Sequence, residues 1–235
     1  SYHATIGTGT SGSGSDQFNG PFGVSVASDG KIYVADFNNH RIQVFNSDYS
    51  YHATIGTGTS GSGSDQFHGP SGVSVASDGK IYVADRDNHR IQVFNADYSY
   101  HATIGTGTSG SDNDQFNLPA GVSVASDGKI YVADLSNHRI QVFNSDYSYH
   151  ATIGTGTWGR GNDQFNLPYG VSVASDGKVY VADFFNNRVQ VFETATDYQA
   201  EITPAAEGEV SLEIAAGAFS DEAGIASTEA ASFSI

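Results

Sequence analysis

Apolar and polar positions alternate with a period of two through most of the chain. In GVSVAS, Val24 and Val26 share one face, and in KIYVAD, Ile32 and Val34 share a face opposite Tyr33 and Ala35. In RIQVFN, Ile42 and Val44 stand against Gln43 and Phe45, and in YHATIG, Tyr51, Ala53 and Ile55 alternate with His52 and Thr54. Short alternating runs rich in β-branched and aromatic residues predict strands, here four in succession, a to d. No stretch carries a helical rhythm. Ser28-Asp29-Gly30-Lys31 joins a to b, and Asp-Gly is a strong hairpin signal because both residues tolerate positive φ.

The whole pattern then returns. SYHATIGTGT begins at Ser1, Ser50, Ser99 and Ser148, a spacing of 49 residues each time. A fixed period of this length marks a repeat architecture, and four strands per unit arranged around an axis make a β-propeller blade. The expected fold is all-β: a propeller of four 49-residue, four-stranded repeats over residues 1–195, then a short β segment over 196–235.

PFGVSVASDGKIYVADFNNHRIQVF, residues 21–45, resembles the NHL repeat, with its P-x-G entry, D-G turn, V-A-D strand end and N-H-R-I-Q-V-F run. The resemblance covers residues 1 to about 195, and the fourth copy departs from it by placing Asn187 where the others have His40, His89 and His138. It implies a propeller that serves mostly as a binding scaffold and only occasionally as an enzyme. Propellers of this kind usually have about six blades, whereas four copies stand here. The N-terminal strand would close the ring by completing the last blade, with YQAEIT at 198–203 competing for the position. Otherwise two chains would form one larger ring.

Beyond Glu193 the repeat stops. ITPAAEGEVSLEIAAGAFSDEAG and the closing ASFSI resemble the C-terminal half of a bacterial Ig-like domain. Alternation at Val210, Leu212 and Ile214, at Tyr198, Ala200 and Ile202, and at Phe233 and Ile235 predicts three strands. A complete sandwich of that kind needs about seven, so the segment is expected to pack on the propeller, to pair with a second chain, or to be a domain cut in half.

Comparing the four copies separates frame from decoration. The a–b turn reads ASDGK every time, and the c–d turn NSDYS or NADYS. In a blade those two turns share one face. Nearly every edit falls at the opposite face: Phe22, Ser71, Ala120 and Tyr169 within P-x-G; Phe37-Asn38, Arg86-Asp87, Leu135-Ser136 and Phe184-Phe185 in the b–c turn; Trp158 and Arg160 in the d–a loop. The candidate ligand-binding residues are therefore Phe22, Phe37, Arg86, Trp158, Arg160, Tyr169, Phe184 and Phe185. Aromatic rings and Arg dominate protein-binding hot spots, and flat rings also suit sugars. Drift at loosely constrained loop positions and an assembly contact are the competing readings.

Other candidate sites are weaker. His40, His89 and His138 occupy equivalent places in different blades, which ring symmetry holds too far apart for one zinc ion. Asn187 shows that the frame tolerates their loss. His3, His52, His101 and His150 lie further out. Asp36, Asp85, Asp134 and Asp183 are expected to accept hydrogen bonds from turn amides and from the Arg at 41, 90, 139 and 188. SDND at 111–114 and SDEAG at 220–224 offer oxygen ligands for calcium without a known loop spacing. GTGTSGSGS lacks the Lys and following helix of a phosphate loop and reads as a flexible connector. No unique Ser–His–acid set stands out from its copies, so no catalytic residue is expected.

Charge narrows the partners. The chain carries 10 basic and 26 acidic residues, a net charge of −16; residues 1–192 hold all ten bases against 17 acids. So acidic a surface repels phosphate backbones and anionic membranes. No Cys is present, which removes disulfides and thiol chemistry. Together these features lead to the expectation of a non-enzymatic binding or adhesion module of an extracellular or bacterial cell-surface protein. Its partner would be a protein or glycan ligand, with a homo-oligomer or neighbouring chain completing the ring or the Ig-like segment. A structural subunit of a surface assembly is the second reading and a lyase-type propeller enzyme the third.

Overall fold

The computed structural model describes residues 2–193 in full and the backbone of 211–214 and 231–234. Contacts divide the chain into two units, Ser1–Val191 and Phe192–Ile235. The first is built of four antiparallel sheets in chain order, one per repeat. Blade 1 comprises β1 (Pro21–Val26), β2 (Ile32–Asp36), β3 (Arg41–Phe45) and β4 (Tyr51–Ile55). Blade 2 comprises β5 (Pro70–Val75), β6 (Ile81–Asp85), β7 (Arg90–Phe94) and β8 (Tyr100–Ile104). Blade 3 comprises β9 (Pro119–Val124), β10 (Ile130–Asp134), β11 (Arg139–Phe143) and β12 (Tyr149–Ile153). Blade 4 has three strands among the described residues: β13 (Pro168–Val173), β14 (Val179–Asp183) and β15 (Arg188–Phe192). This is the all-β propeller that the 49-residue period predicts. The b–c turns add one feature that the pattern did not announce, a single 3-10 turn in each blade, as at Phe37–Asn39.

The core lies between blades. Tyr33, Ala35, Ile42, Val44 and Ile55 of blade 1 pack against Phe67, Val73, Ile81, Val83 and Phe94 of blade 2. The same set recurs 49 residues on, between blades 2 and 3. Period-two alternation places these residues on opposed sheet faces, as required when both faces of a sheet are covered. The glycine of P-x-G lets the innermost strands approach: a Cβ on Gly23 would stand 2.5 Å from the Ser71 carbonyl oxygen, and one on Gly72 2.6 Å from that of Ala120. Only a residue without a side chain fits there. A serine staples each joint, its Oγ accepting from the next blade's amide: Ser25 from Val75 at 3.1 Å, Ser74 from Val124 and Ser123 from Val173, both at 3.2 Å.

The fourth joint differs. A Cβ on Gly170 would meet only the Cβ of Ala182 in its own blade, at 3.6 Å. Val189 and Val191 are 63% and 51% exposed although their equivalents Ile42 and Val44 are fully buried, and Val24 and Val26 on blade 1 are each 65% exposed. The ring is open between blades 4 and 1. Residues 2–6 do not complete blade 4, contrary to the expected closure by the N-terminal strand: the His3 ring lies 6.0 Å from Tyr49 of blade 1, and the described residues put no strand beside β15. Blades 4 and 1 touch through Phe22 and Tyr169, whose rings lie 5.9 Å apart, while the valines on both facing sheets stay exposed.

In the second unit, β16 (Ser211–Ile214) pairs antiparallel with β17 (Ala231–Ser234), with Leu212 opposite Phe233. These are two of the strands expected in the tail. The third, over 198–203, lies outside the described residues, and a two-stranded ladder does not identify an Ig-like domain.

Candidate functional site

The edited positions rest on an invariant polar knot. Asp36, fully buried at the end of β2, accepts at Oδ1 from the Asn19 amide (2.7 Å) and at Oδ2 from Asn39 Nδ2 and Arg41 Nε (both 2.8 Å). The Arg41 guanidinium then donates to the carbonyls of Ser13, Gly14 and Gln17 at 2.8, 2.8 and 3.1 Å. Asp85–Arg90, Asp134–Arg139 and Asp183–Arg188 repeat the arrangement. Such charge-assisted bonds satisfy the buried carboxylate and fix the loop. The glycine–serine loop, read from sequence as a flexible connector, is thus pinned at three carbonyls by Arg41 and at Gln17 again by Gln43. Only the loop composition, without its buried anchor, was visible in the sequence.

The histidines that recur in three copies join blades. His40 ends the 3-10 turn in the left-handed region, at φ 50°, and its Nδ1 accepts from the Gly69 amide of blade 2 at 3.2 Å. His89 and His138 do the same toward Leu118 and Leu167. Burial lowers the pKa of His40, as does the neighbouring His68, against a smaller opposite pull from Asp87 and Asp85. Burial likewise lowers His138, against Asp134 and Asp183. A neutral ring is what the bond requires, since a protonated Nδ1 has no lone pair to offer. At the open joint the equivalent residue is Asn187, also left-handed, at φ 54°.

On this frame five rings form one continuous row. Phe37 lies 5.1 Å from Phe22, Phe22 stacks on Tyr169 at 5.9 Å and 15°, Tyr169 lies 5.8 Å from Phe184, and Phe184 meets Phe185 edge-on at 5.0 Å. These distances fall in the range of favourable ring pairs. Arg86 extends the row, its Cζ 5.8 Å over the Phe37 ring and its Nη1 3.6 Å from Asp87. The row crosses the open joint from blade 1 to blade 4, and Phe22, Phe184 and Phe185 are 54%, 58% and 54% exposed. Trp158 and Arg160 stand apart in the d–a loop. Trp158 is 71% exposed, its backbone bridges to Phe165, and among the described residues no ring contact ties it to the row. The Arg160 carbonyl accepts from Arg188 at 3.0 Å.

Among the described residues, no three His, Asp or Glu side chains are grouped to hold a metal. The 111–114 turn spends its Ser111 and Asp112 carbonyls on Arg139, and 220–224 lies outside the described residues. No described helix is long and apolar enough to cross a membrane. That an unclosed arc of four copies would expose blade faces follows from the repeat count, since four copies build three joints; which residues stand exposed there, Val24, Val26, Val189 and Val191, only the structure shows.

The NHL repeat family model matches residues 18–45, 67–94, 116–143 and 165–192. No curated protein matches the chain. Among solved structures, a chain of a nidogen/laminin complex is 18% identical with a TM-score of 0.59, covering 75% of this chain and 60% of that one. A protein of unknown function from Bacteroides thetaiotaomicron VPI-5482 is 16% identical with a TM-score of 0.56, covering 73% and 46%. A streptogramin B lyase is 13% identical with a TM-score of 0.49, covering 76% and 56%. This chain therefore spans about half the length of the structures it resembles. Each family match runs from the Phe before P-x-G to the end of strand c, and each falls on one blade: the chain folds as a four-blade β-propeller in which every blade matches the NHL repeat model.

Proposed function

We propose that the chain is a non-catalytic binding module of an extracellular or bacterial cell-surface protein, presenting the aromatic row to a protein or glycan ligand. The observation that carries this reading is the unbroken contact from Arg86 through Phe37, Phe22, Tyr169 and Phe184 to Phe185. Rings left half in water cost free energy unless something covers them, and a rigid aromatic strip with a cation at one end offers stacking and cation–π attraction together. The matching propeller in a nidogen/laminin complex agrees with a protein-binding role for this fold. The test is a screen of the purified chain against a glycan array and a displayed peptide library, with hits titrated by calorimetry. Phe22→Ala and Phe184→Ala are expected to weaken a true ligand about tenfold or more without changing the far-ultraviolet spectrum or melting temperature. Undiminished binding in both variants removes the row from the site.

A further inference from the structure

The two sides of the open joint are unequal, and each is half of an interface that the chain builds three times internally. Blade 4 presents Tyr180, Val189 and Val191, 39%, 63% and 51% exposed, at the places of Tyr33, Ile42 and Val44, which in blade 1 bury themselves against blade 2. Blade 1 presents Val24 and Val26, each 65% exposed, at the places of Val73 and Val75, which receive them. The polar staples are equally poised. Exposed Ser172 stands where Ser123 accepts from the following blade, and Gly170 keeps the clearance that Gly23, Gly72 and Gly121 use for close approach. Residues 2–6 stand over blade 1 as a preceding blade's outer strand would. His3 meets Tyr49 at 6.0 Å and 73°, as His52 of blade 1 meets Tyr98 of blade 2 at 6.0 Å and 77°.

We propose that these faces join two copies of the chain head to tail, blade 4 of one receiving blade 1 of the next in the geometry of the internal joints. A second copy is favoured over self-closure because the chain's own two faces touch at Phe22 and Tyr169 but bring no blade 1 atom within 4 Å of a Cβ on Gly170, where the internal joints bring a carbonyl oxygen to 2.5–2.8 Å. The faces carry different residues, so the contact is heterologous: it propagates into a larger ring or an open filament rather than stopping at a two-fold pair.

The experiment uses the full chain and two variants at exposed positions, Val24→Asp on the blade 1 face and Val189→Asp on the blade 4 face, with light scattering over a concentration series. The wild type is expected to rise above its 24.7 kDa monomer mass. Each variant alone should remain monomeric with an unchanged melting curve. Mixed, they should form a species of about twice that mass, because one intact face survives on each. A photo-crosslinking residue at Tyr180, in a mixture of light and nitrogen-15-labelled chains, should join the two isotopic forms at the turn holding Tyr49. A constant 24.7 kDa for the wild type overturns the proposal. So do crosslinks confined to one isotopic chain, which would mean self-closure, and crosslinks to residues 196–235, which would mean that the tail covers this face.

Discussion

At the scale of the residue, the buried aspartates decide most. Asp85 is fully buried and accepts from the His68 amide, Asn88, Arg90 and Gln92 at 2.7–3.3 Å. Removing it strands a buried guanidinium, so Asp85→Ala is expected to cost about 3–5 kcal/mol in chemical denaturation. Asp183→Ala should cost less, because Arg188 beside it is more exposed than Arg90. The histidines give a pH dependence with a definite sign. The folded pKa values of His40 and His138 lie below the ordinary value, so the unfolded chain takes up protons first as pH falls. Their contribution is complete above pH ~6.5 and declines from there toward the folded values. Melting temperature should fall between pH 7 and 5.5, and the His40→Asn/His138→Asn variant, copying Asn187, should flatten that fall. The role of Asp36 and its copies was legible from their place at a strand end before a turn. The role of the histidines was not, because their partner amide lies 29 residues away in the next blade.

At the scale of the element, identical sequence meets different surroundings. Gly72→Ala would push a methyl to 2.6 Å from the Ala120 carbonyl oxygen and 3.0 Å from the Gly121 Cα, both backbone atoms that cannot step aside. Gly170→Ala would make an ordinary contact at 3.6 Å. The first should lower the melting temperature by several degrees, corresponding to an overpacking cost of about 1–3 kcal/mol, and the second should leave that of the monomer unchanged. Differential scanning calorimetry at low protein concentration separates them. Period-two alternation located every strand of the blades, since a half-turn per residue leaves no other way to bury one apolar set. It could not show whether a given face finds a partner: Val191 and Val44 sit in the same local sequence, but one is half exposed and the other fully buried.

At the scale of the whole molecule, stability is distributed as in a linear array, where each unit is held by its neighbours. Blades 2 and 3 have two joints each; blades 1 and 4 have one. Amide exchange should therefore be slowest in β5–β12 and faster in β1–β4 and β13–β15, the order that local opening follows when packing differs. If protection of the outer blades rises with protein concentration, the missing joint is being made between chains. A net charge of −16 opposes close approach of copies, so any association should strengthen as salt screens the repulsion.

Alternation and local turn chemistry specify the blade, its strands and its turns, and the 49-residue period specifies its four copies. The same comparison of copies selected all the rings that later form the row. Tertiary structure alone decided that five of them touch while Trp158 stands apart, that the glycine–serine loop is anchored, and that the ring stays open. Each of those outcomes depends on contacts between residues far apart in the chain: Arg41 with Ser13 inside one repeat, and histidine and serine bonds 29 and 50 positions apart between blades. No local pattern encodes those contacts.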